Sequence, residues 1–165
     1  MRTKIKSVAR IVLIIIIILN LAFIYTQSLI PPEKSSQESD AVGGIISEII
    51  PPDTPEGKFV LENLRKIAHF TEFAFLGFFV SLYIIIYERR VRRALLSAPA
   101  ALILALLDET LQYLSGRGPL VSDVWIDFFG FVTSSVNLYT VYVITAFVVK
   151  KCKQRFAEDI NGQNN

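Results

Sequence analysis

Long apolar runs, not short alternating patches, organise this sequence. Crossing ~30 Å of hydrocarbon takes about 20 apolar residues in a helix. Segments at about 11–30, 68–87, 94–114 and 124–149 meet that requirement, which predicts four spans. The first opens IVLIIIIIL and meets no polar side chain before Asn20. The second and fourth carry polar residues near their starts, and the third near its end. The expected fold is all-α, a four-helix transmembrane bundle.

The first run begins as a secretory signal does, with Arg2, Lys4, Lys6 and Arg10 ahead of it. It outruns a signal core, and no small-x-small cleavage pattern follows, so a retained anchor is expected.

Residues 31 to about 54 form the one long connection, punctuated by Pro31, Pro32, Pro51, Pro52 and Pro55. Polar and acidic residues at 33–40 suggest turns and a helix start. Ile45, Ile46, Ile49 and Ile50 fall on one face of a short helix, which predicts a short extracytoplasmic helical loop between helices 1 and 2. Thr54-Pro55-Glu56 reads as an N-cap followed by proline at the first helical position. From there a helix is expected to run unbroken into the second span.

Composition sharpens the class. Hydrophobic residues make up 52% of 165 residues, with a mean hydropathy of +0.47. The length fits one domain, taken as 1–155, with 156–165 a polar, disordered tail. The single Cys152 excludes an intrachain disulfide and a cysteine-rich metal site.

The net charge of +2 matters only once placed along the chain. Twelve of the 17 basic residues lie at the N-terminus, in the loop holding Arg89, Arg90, Arg92 and Arg93, and in the tail holding Lys150, Lys151, Lys153 and Arg155. With Glu88, Glu158 and Asp159 they give that side +9, against −7 for the other. Basic loops stay in the cytoplasm, so both termini are expected inside. Tyr25, Tyr113 and Trp125 then fall near the outer interface, and Tyr83 and Tyr87 near the inner one.

Ionisable groups inside a span are costly and persist when paired, facing a cavity or functional. Here they converge from three helices at one depth. Arg65, His69 and Glu72 share a face of the second span, with Lys66 beside them. Asp108, Gln112 and Ser115 share a face of the third, with Glu109 adjacent, and Asp123 and Asp127 share one on the fourth. Arg117 sits in the connecting loop between Gly116 and Gly118. Each has an ordinary reading alone: Asp123 as an N-cap, Arg65 and Lys66 as snorkelling residues, His69 as a hydrogen-bonded structural group. Together they predict a shared polar site. The competing reading is an ion-pair network that only locks the helices together.

Such a set could take several ligands. Carboxylates hold divalent cations, cations at the boundary hold phosphates or carboxylates, and a His–Glu pair moves protons. No zincin spacing, nucleophile elbow or phosphate-binding glycine loop names a reaction.

At these residues the sequence resembles the VanZ-like family of bacterial membrane proteins. The likeness rests on RKIAHFTEFAFLG at 65–77, DETLQYLSGRG at 108–118 and SDVWIDFFG at 122–130, with FIYTQSLIPPEKSSQES after the first span. It covers about residues 23–135. The resemblance implies a place in the cell envelope and a link to resistance to the glycopeptide teicoplanin, whose target is the D-Ala-D-Ala end of peptidoglycan precursors. It supplies no reaction. Leu114 stands where the family usually has an aromatic residue, and Asp127 where many members have asparagine.

The leading expectation is an envelope protein that binds an anionic amphiphile at the outer leaflet, such as a lipid-linked precursor or a lipoglycopeptide. The candidate ligand-binding residues are Arg65, Lys66, His69, Glu72, Asp108, Glu109, Gln112, Arg117, Asp123 and Asp127. A membrane enzyme acting on a lipid phosphate or cell-wall precursor, with a metal on Asp108, Glu109 and Asp127, is the second reading. A structural or assembly subunit is the third. The bilayer is the expected partner besides such a ligand, nucleic acid is not, and no cofactor is expected.

Overall fold

The computed structural model describes residues 2–88 and 91–163. Arg89 and Arg90, half of the arginine cluster counted for orientation, lie outside the described residues. Six α-helices account for nearly all of the rest, with no strand among the described residues. They are α1 (Arg2–Ser28), α2 (Pro32–Ile49), α3 (Pro55–Glu62), α4 (Leu64–Tyr83), α5 (Val91–Leu114) and α6 (Val121–Gln163). A π-helical turn, Ile84–Glu88, extends α4.

Four segments are long and apolar enough to cross a membrane: Ser7–Ser28, Leu64–Glu88, Arg93–Leu114 and Val121–Phe156. The bundle inverts the usual distribution of polarity. Gln112, Asp108, Asp127, Ser28 and Ser81 are among its largest fully buried side chains, whereas Ile11, Ile18, Leu19, Ile103, Val141 and Phe147 are exposed. Apolar side chains turned outward are at home in lipid, and buried polar ones satisfy each other inside. The chain is a multi-pass membrane protein.

Ile24, Phe73, Leu76, Ala101, Ala105, Val124 and Phe131 form the apolar core. Helices α4 and α6 pack most closely, because glycines remove side chains where they cross. A Cβ on Gly77 would run into the carbonyl oxygen of Phe131, and one on Gly130 into that of Phe70. Small residues let membrane helices approach backbone to backbone, which lipid exclusion alone does not drive.

At the opposite end from the polar cluster, Arg10 ties α1 to α4. Its Nε and a terminal nitrogen donate to the Tyr83 hydroxyl at 3.0 and 2.7 Å. Glu88 joins this knot through Arg10, at 3.8 Å, and through Arg93.

The connection between α1 and α4 holds more helix than expected. α2 begins with proline at its first turn and continues through Gly43 and Gly44 to Ile49. Gly43 is buried against Leu61, which gives a glycine there a packing role. Thr54 caps α3 as expected, accepting from Gly57 N at 3.1 Å. The helix does not continue unbroken into the second span, however. It stops at Asn63 (φ −113°, ψ 13°), whose side chain donates to the Phe59 carbonyl at 2.9 Å. Asparagine competes for backbone groups in this way, which favours a break.

α6 is one helix of 43 residues, roughly 65 Å at 1.5 Å per residue. From Val121 to Lys150 it covers about 44 Å, the full thickness of a bilayer with its headgroups. It continues to Gln163, through most of the tail expected to be disordered. No proline interrupts it, and after Gly130 no glycine enters until 162.

Candidate functional site

The three polar helix faces meet. His69 on α4 points its Nδ1 at two carboxylates, Asp127 Oδ1 at 3.3 Å and Asp108 Oδ2 at 3.6 Å. Asp108 and Asp127 are wholly buried and His69 nearly so. The glycine crossing explains the meeting: Gly130 lies against Phe70, so the turns carrying Asp127 and His69 are neighbours.

Asp108 is held from both sides. The Ser28 hydroxyl, at the end of α1, donates to Oδ1, and Gln112 Nε2 donates to Oδ2 at 2.7 Å. The i, i+4 spacing of Asp108 and Gln112 makes the second contact a local consequence of helix geometry. Gln112 also reaches Glu109 Oε1 at 3.1 Å and accepts from Arg65 through Oε1. Asp127 differs: apart from His69 Nδ1 neither of its oxygens has a hydrogen-bond donor.

Glu109 serves the loop. Its Oε2 accepts from Leu120 N at 2.9 Å, tying the end of α5 to the chain entering α6. Asp123 is buried in the first turn of α6, where Ser122 Oγ reaches it at 3.1 Å. An acid there complements the helix dipole. Lys66 is exposed. These three expected site residues therefore stand outside the cleft, while the other seven gather in or directly beneath it.

The cleft itself has a volume of ≈ 430 Å³ and opens between the ends of α1, α2 and α4. Glu38, Arg65, His69, Glu72 and Arg117 supply its charged lining, and Ala41, Val42, Leu64 and Ala68 an apolar wall. A second opening of ≈ 340 Å³ adjoins it. Arg65, Arg117, Ser35 and Ser39 line both, so the two guanidinium groups stand where the openings join.

The loop that aims Arg117 is built on Gly116, whose φ of +84° is the left-handed conformation that ends helices. Arg117 N closes the motif on the Gln112 carbonyl at 3.0 Å. The Arg117 side chain then spans to the Gln27 carbonyl at 3.2 Å and to the Ser35 hydroxyl. It thus joins α1 and α2 across the mouth of the cleft. Burial, and then the neighbouring Arg65 charge, lower the Arg117 pKa from its ordinary value. Asp108, Glu109 and Glu38 oppose this with smaller effects.

Ser28, Ser35 and Gln27 make contacts to Asp108 and Arg117 that side-chain charge alone does not reveal. Their one signal in the sequence is the serine-containing stretch after the first span, which belongs to the resemblance and not to any charge pattern.

A family model described as VanZ/LLP1 matches residues 9–145, most of the chain. The chain belongs to the VanZ/LLP1 family. The match takes in the second and third spans whole, nearly all of the first, most of the last, and every residue of the polar cluster. No curated protein and no solved structure matches the chain.

Proposed function

We propose that this VanZ/LLP1 protein binds an anionic, amphiphilic ligand at the outer leaflet of the bacterial cell membrane. The single observation that carries the reading is the state of its two cleft arginines. Among the described residues the side chains of Arg65 and Arg117 hydrogen-bond to neutral groups, the Gln112 side chain, the Ser35 hydroxyl and the Gln27 carbonyl. Among the described residues neither forms an ion pair with a carboxylate, and Arg65 Nε is buried without an acceptor. Guanidinium groups are matched to phosphate and carboxylate oxygens. The apolar wall of Ala41, Val42, Leu64 and Ala68 beside them suits the chain of a lipid. A lipid-linked cell-wall precursor and a lipoglycopeptide both have this character.

The outer location rests on charge. By sequence 12 of the 17 basic residues fall in the termini and in the loop between spans two and three, and basic segments stay in the cytoplasm, which supports an outward-facing cleft with both termini inside. A contribution to glycopeptide (teicoplanin) resistance is the cellular expression of the same reading, through competition between precursor and drug at the membrane surface.

The test is binding of a fluorescent polyprenyl phosphate to the purified protein in nanodiscs, with the uncharged polyprenol as comparison. Arg65→Gln and Arg117→Gln are each expected to weaken phosphate binding about 10-fold or more, the worth of a charged hydrogen bond. Equal binding of phosphate and alcohol, or folded variants that bind like the wild type, would remove the proposal. In cells, the same variants should restore teicoplanin susceptibility at normal protein levels.

A further inference from the structure

Beneath the arginines, at the junction of α4, α5 and α6, lies a group of a different chemical kind. His69 Nδ1 and one oxygen each from Asp108 and Asp127 all fall within 4.8 Å of one another. Donor atoms bound to one ion at about 2.0–2.2 Å lie about 3.0–3.5 Å apart in tetrahedral or octahedral geometry. His69 Nδ1 stands 3.3 Å from Asp127 Oδ1 and 3.6 Å from Asp108 Oδ2. We infer that His69, Asp108 and Asp127 bind a divalent first-row metal ion, Zn²⁺ or Mn²⁺.

A second, independent observation supports the site. Asp127 is 0% exposed, and apart from His69 Nδ1 at 3.3 Å neither carboxylate oxygen has a hydrogen-bond donor. A buried carboxylate left this way carries a large desolvation cost, which a bound cation removes. Asp108, by contrast, is braced by Ser28 and Gln112 as metal-binding carboxylates commonly are, with the supporting hydrogen bonds supplied by the surrounding shell. Two carboxylates balance a divalent charge. The imidazole nitrogen selects a borderline metal over Ca²⁺ or Mg²⁺, which take oxygen ligands.

Glu109 is not a ligand. The donor atoms that converge within 4.8 Å are those of His69, Asp108 and Asp127, whereas Glu109 turns to the loop at Leu120 N. Three protein donors leave coordination positions open, and His69 and Glu72 both line the cleft above. An anionic oxygen entering that cleft could therefore reach the ion.

The test uses the full chain in detergent, carrying Cys152→Ser so that the exposed thiol contributes nothing, stripped with chelator and dialysed. Zn²⁺ and Mn²⁺ are titrated separately and bound metal is measured by plasma mass spectrometry, with Mg²⁺ as comparison. One ion per chain is expected for Zn²⁺ or Mn²⁺, with no saturation by Mg²⁺. Asp127→Asn and His69→Gln are expected to abolish stoichiometric binding, Ser28→Ala to weaken it about 10-fold, and Glu109→Gln to leave it unchanged. Circular dichroism and gel filtration select the folded variants.

Three outcomes each overturn the site: a parent protein that takes up no ion at saturating metal, stoichiometric binding that survives in folded Asp127→Asn, and loss of binding in folded Glu109→Gln. The parent measurement needs no variant to fold. It also needs no lipid, so it stands apart from the anion-binding result.

Discussion

Gly130 of α6 lies against the backbone of Phe70 on α4, and this contact brings Asp127 within 3.3 Å of His69. Gly77 makes the reciprocal contact with Phe131. The two glycines fix how the helices cross, and the crossing sets the depth at which the polar faces meet. Adding a methyl group at either position forces backbone apart. Gly77→Ala and Gly130→Ala should each cost about 1–3 kcal/mol, the usual penalty of overpacking. Gly118→Ala, which meets open space, should leave stability unchanged. Thermal unfolding in detergent measures all three.

Ser28 closes the same assembly from α1 by donating to the buried Asp108. Ser28→Ala leaves a carboxylate oxygen inside the bundle without that donor, at a cost of about 1–3 kcal/mol. The expected result is a lower unfolding temperature with helix content intact.

Arg117 bridges Gln27 and Ser35, so it holds α2 over the cleft. Arg117→Ala should free the start of α2. A cysteine introduced as Ser39→Cys in a Cys152→Ser background should then react faster with a soluble maleimide. An unchanged rate would mean that α2 is held by its other contacts.

Thr54 caps α3 through the amide of Gly57. Its replacement by alanine should cost about 1 kcal/mol, and the effect should stay local because Asn63 separates α3 from the second span. Hydrogen exchange of the first-turn amides of α3 should accelerate, with the spans unaffected.

Cys152 is exposed, past the apolar part of α6. With the termini cytoplasmic it should resist a membrane-impermeant maleimide in intact cells and react after lysis. Ser36→Cys, on α2, should show the opposite pattern in a Cys152→Ser background. Reversal of the two would invert the orientation and move the cleft to the inner leaflet.

Much of this architecture is legible in the sequence. A bilayer demands length and apolar composition from each span, and those properties are local. The cap at Thr54 is likewise local, because proline and a hydroxyl suffice to mark it. The break at Asn63 is not: a polar side chain can either cap a helix or ride along it, and here its bond to the Phe59 carbonyl ends α3. The length of α2 is equally hidden, since Gly43 and Gly44 read as breakers until Leu61 packs against the first.

For the polar site, helical spacing places Arg65, His69 and Glu72 on one face, and Asp108 and Gln112 on another. Spacing cannot tell which carboxylate faces which neighbour. Glu109 and Asp108 are adjacent in sequence, yet one supports the loop at Leu120 and the other faces His69. Ser28 and Ser35, neutral and common, acquire meaning only from what they touch.

The sequence by itself determined four spans, an even crossing number and three polar faces at one depth, because the cost of charge in lipid acts residue by residue. Tertiary structure alone decided that His69, Asp108 and Asp127 form the centre, that Lys66 is outside it, and that Arg65 and Arg117 guard a cleft. Those facts depend on how closely helices approach, and the approach is set by backbone contacts at Gly77 and Gly130 between residues distant in the chain.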